Sequence, residues 1–291
     1  MKKVMVISLG GSLIVPEQID FKFLDNFKKT LKKHYNKYKF VIVCGGGTIA
    51  RKYIFALEKE GSSKKELSLA GIRATRMNAL FMMQFFGKDA NESLPMNMEE
   101  VKNHLSKNSV VICGALRYTD KSTSDTTAAH LANFLHTEFI NLTNVQGLYT
   151  DNPKKNPKAK FIPQISWKNF EEKALKIKYK AGQNFVLDQS AAILIRKHKI
   201  KTYILGENLK NLDNLLKNKK FIGTSIEDLP VMENSVDYVT IHSNSPNRGF
   251  EKKGSPINQI LCNQVTKKRE GIDRASLKKV TKLVGNSVKI N

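Results

Sequence analysis

Phe40-Val41-Ile42-Val43-Cys44-Gly45-Gly46-Gly47-Thr48-Ile49-Ala50-Arg51-Lys52 is the stretch from which the fold is read. Its first five residues are apolar and rich in β-branched side chains, which suits a short strand buried on both faces. Three glycines then pass the chain into a helical pattern opening at Thr48. Such a strand-to-helix junction is a ready anion site, because the first helical N–H groups have no partner within the helix. Outward from it, Val4–Ile7, Val110–Cys113, Phe139–Leu142 and Thr202–Leu205 repeat the buried-strand pattern. Phe21–Leu31, Thr48–Leu57, Leu67–Phe86, Thr126–Leu135 and Gln189–His198 have the length and apolar spacing of helices. The alternation predicts an α/β sandwich with a largely parallel sheet. In such sheets ligands sit at the carboxyl ends of the strands, so the loops that follow the strands are the ones to inspect.

Composition bounds the function classes. The chain has 291 residues, with 49 Lys+Arg against 26 Asp+Glu and a net charge of +23. That is an ordinary folded composition of one large or two smaller domains, with no run long enough to span a membrane as a helix. The excess charge is spread along the whole chain, which reads as a solvated surface compatible with polyanionic ligands. Gly10-Gly11 interrupts the first apolar run, so the N-terminus reads as a buried strand rather than a signal peptide. Cys44, Cys113 and Cys262 form no C-x-x-C pair, and the six His form no H-E-x-x-H, so neither a disulfide framework nor a zinc site is indicated. A reducing cytoplasm is the expected compartment.

Four loops carry the candidate chemistry. Ser8-Leu9-Gly10-Gly11-Ser12 follows the first strand, and a Gly-Gly pair lets backbone N–H groups approach a phosphate. Gly45-Gly46-Gly47 follows the second, with Arg51 and Lys52 one turn into the helix. Neither loop is a Walker A motif. Thr123-Ser124-Asp125 opens a helix after the third strand, where helix capping is the simplest role. Thr143-Asn144-Val145-Gln146-Gly147-Leu148-Tyr149 follows the fourth and reads, taken alone, as a turn with one exposed aromatic. Asp188, just before a helix, reads equally well as a cap.

Taken in order, these pieces resemble the amino acid kinase family, and most closely its archaeal type of uridylate kinase. Gly71-Ile72, Thr75-Arg76-Met77-Asn78-Ala79, Asp151-Asn152-Pro153-Lys154-Lys155, Lys180-Ala181-Gly182 and Gly223-Thr224 add to the match, which covers residues 1–227. The resemblance implies a three-layer α/β/α sandwich and a nucleoside monophosphate kinase of pyrimidine biosynthesis that moves the ATP γ-phosphoryl group to UMP with Mg²⁺. Carried over by position, it places Gly10, Gly11, Ser12, Gly47, Arg51, Thr143, Asn144, Tyr149 and Asn152 around ATP. Gly45, Gly46, Ser68, Arg117, Thr123 and Ser124 fall where relatives grip UMP. Asp125 and Asp188 match acidic positions beside the reacting phosphates, with Asp125 the expected metal ligand and Arg51 their cationic counterpart. Relatives are commonly homo-oligomers, often hexamers.

Departures from the pattern are Ser8 where many relatives carry Lys, Ser68 and Gln146 where they carry Asp, Asn152 with Asp151 displaced by one, and Phe185 where they carry Ser or Lys. The segment 114–124 is also about three residues longer than in relatives, by the same comparison of motifs. They leave two alternatives open: the same fold acting on another small phosphate or carboxylate, or a catalytically weak nucleotide- or nucleic-acid-binding relative. Residues 228–291 form a basic extension with eleven Lys+Arg against six Asp+Glu, read as one strand and two helical stretches. A helical hairpin that packs its apolar stripe is favoured over nucleic-acid binding for this extension.

Overall fold

The computed structural model describes residues 2–116, 123–153, 155–176 and 187–228. These lie in one compact unit, Met1–Met232; the chain's second unit, Glu233–Asn291, falls outside them. The strands are β1 (Lys3–Leu9), β2 (Tyr38–Cys44), β3 (Val110–Cys113), β4 (Phe139–Leu142), β5 (Leu148–Tyr149), β6 (Phe161–Ile162), β7 (Gln164–Ile165), β8 (Thr202–Leu205) and β9 (Thr224–Ile226). The helices are α1 (Gly11–Ile14), α2 (Phe21–Lys32), α3 (Gly47–Lys59), α4 (Lys64–Phe86), α5 (Met98–Lys107), α6 (Ser124–Phe134), α7 (Trp167–Leu175), α8 (Gln189–Lys197) and α9 (Leu209–Leu216).

Seven strands form one sheet in the order β3-β2-β1-β4-β8-β9-β7. Strands β3, β2, β1, β4 and β8 run parallel, while β9 pairs antiparallel with β8 and carries β7 alongside it. The chain steps from β1 to β2 to β3 on one side, then returns to place β4 on the other side of β1. The loops after β1 and β4 therefore diverge, which opens a crevice at the carboxyl edge of the sheet.

Alternate side chains feed two cores. Met5, Ile7, Leu9, Phe40, Ile42 and Leu142 face Leu24 and Phe27 of α2, Met82 and Phe86 of α4 and Leu212 of α9. Val6, Val41, Val43, Val111 and Phe139 face Val101 of α5, Ala128 of α6, Phe170 of α7 and Ile195 of α8. Both faces are covered, so the strands read as continuous apolar runs, and each buried Phe or Leu contributes roughly 1.5–3 kcal/mol. The expected α/β/α layering is present. The 143–153 region is more than a turn: Leu148–Tyr149 pairs antiparallel with Phe161–Ile162, and Thr224 accepts the Leu148 N–H (2.8 Å) and donates to the Ile162 carbonyl (2.6 Å). Among the described residues no helix is long and apolar enough to cross a membrane.

The edge strand β3 is completed by a side chain. Buried Asn91 accepts the Ile112 N–H (2.6 Å) and donates to the Ile112 carbonyl (3.0 Å), taking the place of a neighbouring strand. Asn91→Ala leaves both groups buried and unpaired, and is expected to cost about 1–3 kcal/mol in urea unfolding. An unchanged midpoint would refute this account of the edge.

Candidate active site

Four strands stop on one line. The registers set Leu9 beside Cys44 and Leu142, and Leu142 beside Leu205. The ladder runs one residue further, with N–H bonds of 2.9 Å from Gly45 to the Leu9 carbonyl, from Gly10 to Leu142 and from Thr143 to Leu205. Beyond that line the glycine loops meet backbone to backbone. A Cβ on Gly11 would lie 2.2 Å from the Gly47 nitrogen, and one on Gly47, whose φ is +58°, would lie 2.4 Å from the Gly11 carbonyl carbon. Only glycine fits either position.

Helix capping separates these loops from the rest. Helices α2, α4, α5, α6, α7, α8 and α9 each begin on a side chain that accepts a first-turn N–H. Helices α1 and α3 begin at Gly10 and Gly46 and have no side-chain cap among the described residues. Their first-turn N–H groups therefore have no side-chain acceptor, and in α3 they form the electropositive end of the helix dipole.

Helix α4 braces both neighbouring loops. Asn78 donates to the Gly45 carbonyl (2.7 Å), and Thr75 Oγ1 accepts the Ala115 N–H (2.9 Å). Arg76 donates to the carbonyls of Ala115 (3.0 Å) and Leu116 (2.7 Å).

Two carboxylates close the site. Buried Ser8, the penultimate residue of β1, donates to Asp125 Oδ1 at 2.7 Å. Asp188 caps α8 by accepting the Ala191 N–H (2.8 Å), and it also accepts the hydroxyls of Thr123 and Thr126. Burial, and then the nearby Asp188 carboxylate, push Asp125 up from its ordinary value to about 7, against the pull of the Ser8 hydroxyl. Two carboxylates thus stand at the first turns of α6 and α8, one held by Ser8 of β1 and the other by the hydroxyls of α6.

Comparison with known proteins fits this geometry: residues 3–206 match the Amino acid kinase family. The chain belongs to the amino acid kinase family. It is 36% identical over 230 residues to a Thermoplasma volcanium protein named uridylate kinase, covering 78% of this chain and 99% of that one. A uridylate kinase of Thermococcus kodakarensis is 33% identical over 225 residues, 77% of this chain and 99% of that one. The crystal structure of uridylate kinase from Archaeoglobus fulgidus superposes with a TM-score of 0.67 at 32% identity, over 78% of this chain and all of the other.

Within this family fold, the residues expected around a nucleotide divide into three groups. Gly10, Gly11, Gly45, Gly46, Gly47, Thr143, Thr123, Asp125 and Asp188 gather at the crevice through the contacts above, with Ser12 and Ser124 in the first turns of α1 and α6. Ser68 lies one turn before Gly71, whose carbonyl is 3.5 Å from a Cβ built on Gly46. Exposed Arg51 bonds Thr48 Oγ1 (2.9 Å), within its own helix. Asn144 is exposed, and Tyr149, half-buried on β5, packs edge-on against Phe161 at 5.4 Å. Asn152 follows Asp151, whose carboxyl is held below its ordinary value by Asn156 and the Asn152 N–H. Arg117, Lys121, Lys154, Lys180, Phe185 and residues 229–291 lie outside the described residues. Thr75, Arg76 and Asn78 belong to a stretch that matches the family, but their bracing role, like that of Thr126, has no signal in the sequence beyond polarity within otherwise apolar helical stretches.

A carboxyl raised in the folded state keeps its proton while the unfolded chain has lost it, so stability falls as pH rises from about 4 toward 7. Removing that charge should relieve the loss. Asp125→Asn in metal-free buffer is expected to raise the thermal midpoint at pH ~8 more than at pH ~4. Equal changes at the two pH values would contradict the raised pKa.

Proposed function

We propose that this chain transfers the γ-phosphoryl group of ATP to UMP, giving ADP and UDP, through residues 1–227 in the cytoplasm. The observation that carries the reading is the pair of uncapped helix starts, α1 and α3, held in contact by Gly11 and Gly47. The relatives named uridylate kinase support the choice of reaction, over nearly their whole length. A different small acceptor, or a weak nucleic-acid-binding relative, has no comparable support.

Roles follow from position. The N–H groups of Gly10, Gly11 and Gly47, with Ser12, cradle the ATP phosphates, while Arg51 swings from Thr48 to the transferring group. Thr143, Asn144, Tyr149 and Asn152 line the nucleoside side of ATP. Gly45, Gly46, Ser68, Thr123 and Ser124, with Arg117, hold UMP. An oxygen of the UMP phosphate forms the new bond to Pγ as the bond from Pγ to the bridging β,γ-oxygen breaks, and the electron pair leaves on ADP. No side chain becomes covalently attached, so the protein contributes alignment and fixed positive potential.

The donor set fits Mg²⁺. Asp125 is a carboxylate whose proton affinity is raised by burial and by a second acid, a state that a cation relieves. No group of three or more His, Cys, Asp and Glu forms a cage among the described residues. This is the pattern of a metal held by one or two carboxylates together with substrate phosphates. Bound at Asp125, Mg²⁺ would supply charge neutralisation of the β- and γ-phosphates; Asp188 keeps Asp125 and the α8 terminus in place.

The active form we propose is a homo-oligomer built on α3 and α4. Ala50 is the one buried residue of α3, while Tyr53 and Phe55 on α3 and Met77 and Leu80 on α4 are exposed.

Two measurements test these readings. ADP formation from Mg-ATP is expected with UMP and to fall roughly 100-fold in Asp125→Asn, with EDTA abolishing it. Absence of UMP-dependent turnover with ATP still bound would overturn the function. Light scattering of Tyr53→Glu/Met77→Glu is expected to give a smaller particle than the parent; an unchanged mass would exclude this face.

A further inference from the structure

The capping arithmetic at α6 and α8 leaves two hydrogen bonds over, those from the Thr123 and Thr126 hydroxyls to Asp188. Helix α6 is capped by Thr123, whose Oγ1 accepts the Thr126 N–H at 3.2 Å. Helix α8 is capped by Asp188, through the Ala191 N–H. Neither helix needs the Thr126 hydroxyl to satisfy its first turn. That hydroxyl is nevertheless buried and directed at Asp188, 3.0 Å from Oδ1 and 3.1 Å from Oδ2, beside the bond from Thr123. Thr123 and Thr126, three residues apart, thus turn one side of the α6 first turn toward α8. Asp125, between them in sequence, leaves the same turn toward Ser8 on β1.

The geometry points to Thr126 as a positioning residue for phosphoryl transfer: through Asp188 it locks the first turn of α6, and the Asp125 carboxylate it carries, against the N-terminus of α8. This inference rests on the phosphotransferase reading of the site. The tie joins α6, which follows β3, to α8, which follows α7; without it only the Thr123 hydroxyl holds Asp188 to the start of α6, and Asp125 drifts relative to the N–H groups that face the phosphates. Misplacement of about 1 Å costs up to about 100-fold in rate without weakening ground-state binding to the same degree. A bond serving stability alone would lower the unfolding midpoint and leave the turnover of folded protein untouched.

The test uses the full chain and four variants: Thr126→Val, which keeps the shape and removes the hydroxyl, Thr126→Ser, which restores it, Asp188→Asn, and the double variant Thr126→Val/Asp188→Asn. Steady-state ADP formation with UMP is measured alongside thermal unfolding, so that rates refer to folded protein. Thr126→Val is expected to lower kcat about tenfold or more, with KM for ATP and UMP within about threefold of the parent. Thr126→Ser recovers most of that loss. Because Thr126 acts through Asp188, the double variant is expected to be no slower than Asp188→Asn alone. A parental kcat for folded Thr126→Val, or losses that multiply in the double variant, would overturn the positioning role. A parent chain that makes no ADP with UMP would instead overturn the phosphotransferase reading, and the positioning role with it.

Discussion

Two backbones in contact organise this molecule. Gly11, at the start of α1, and Gly47, at the start of α3, approach so closely that neither position has room for a Cβ. The contact is made possible by the parallel register of β1 and β2, which ends both strands at the same level, Leu9 beside Cys44. It brings two uncapped helix starts together on the side of the sheet edge where the loops diverge. The neighbouring elements serve the contact: α4 fastens the second glycine loop through Asn78, and β4 fastens the first through the bond from the Gly10 N–H to Leu142.

Charge is distributed around this contact with the same economy. Among the described residues seven helices satisfy their own first turns with Ser, Asp, Asn or Thr side chains, so capping chemistry is ample. Two of the described helices are left uncapped, and Asp125 is set beside Asp188 with only partial compensation from Ser8, where the phosphates and cation proposed above would relieve the unfavourable electrostatics. The wide spread of positive charge over the surface adds a general attraction for anionic nucleotides without defining the site.

Much of this was legible in the residues. Val110–Cys113, Phe139–Leu142 and Thr202–Leu205 have the predicted bounds, because strands covered on both faces write themselves as apolar runs. The glycine loops were visible for the same local reason. Helix α5 was not, although Asn97 caps it and Glu100 follows in its first turn; only Val101 and Leu105 are buried, a stripe too narrow to stand out. Strands β5, β6 and β7 have two residues each and no periodicity, and depend on the hydroxyl of Thr224 and on pairing with distant segments. Tyr149, read as an exposed aromatic, is half-buried for that reason. The double engagement of Asp188 by Thr123 and Thr126 was illegible, since it depends on helices brought together only by the tertiary fold.

The Gly11–Gly47 contact also has a kinetic meaning. The two glycines follow successive strands joined by a crossover through α1 and α2, so they meet only after that non-local loop has closed. No earlier, partly folded chain presents both helix starts at once. A nucleotide that spans them therefore binds the completed β1–β2 pair and not its precursors, and it stabilises the folded chain by RT ln(1 + [L]/Kd). For this chain, ligand concentration is a folding variable.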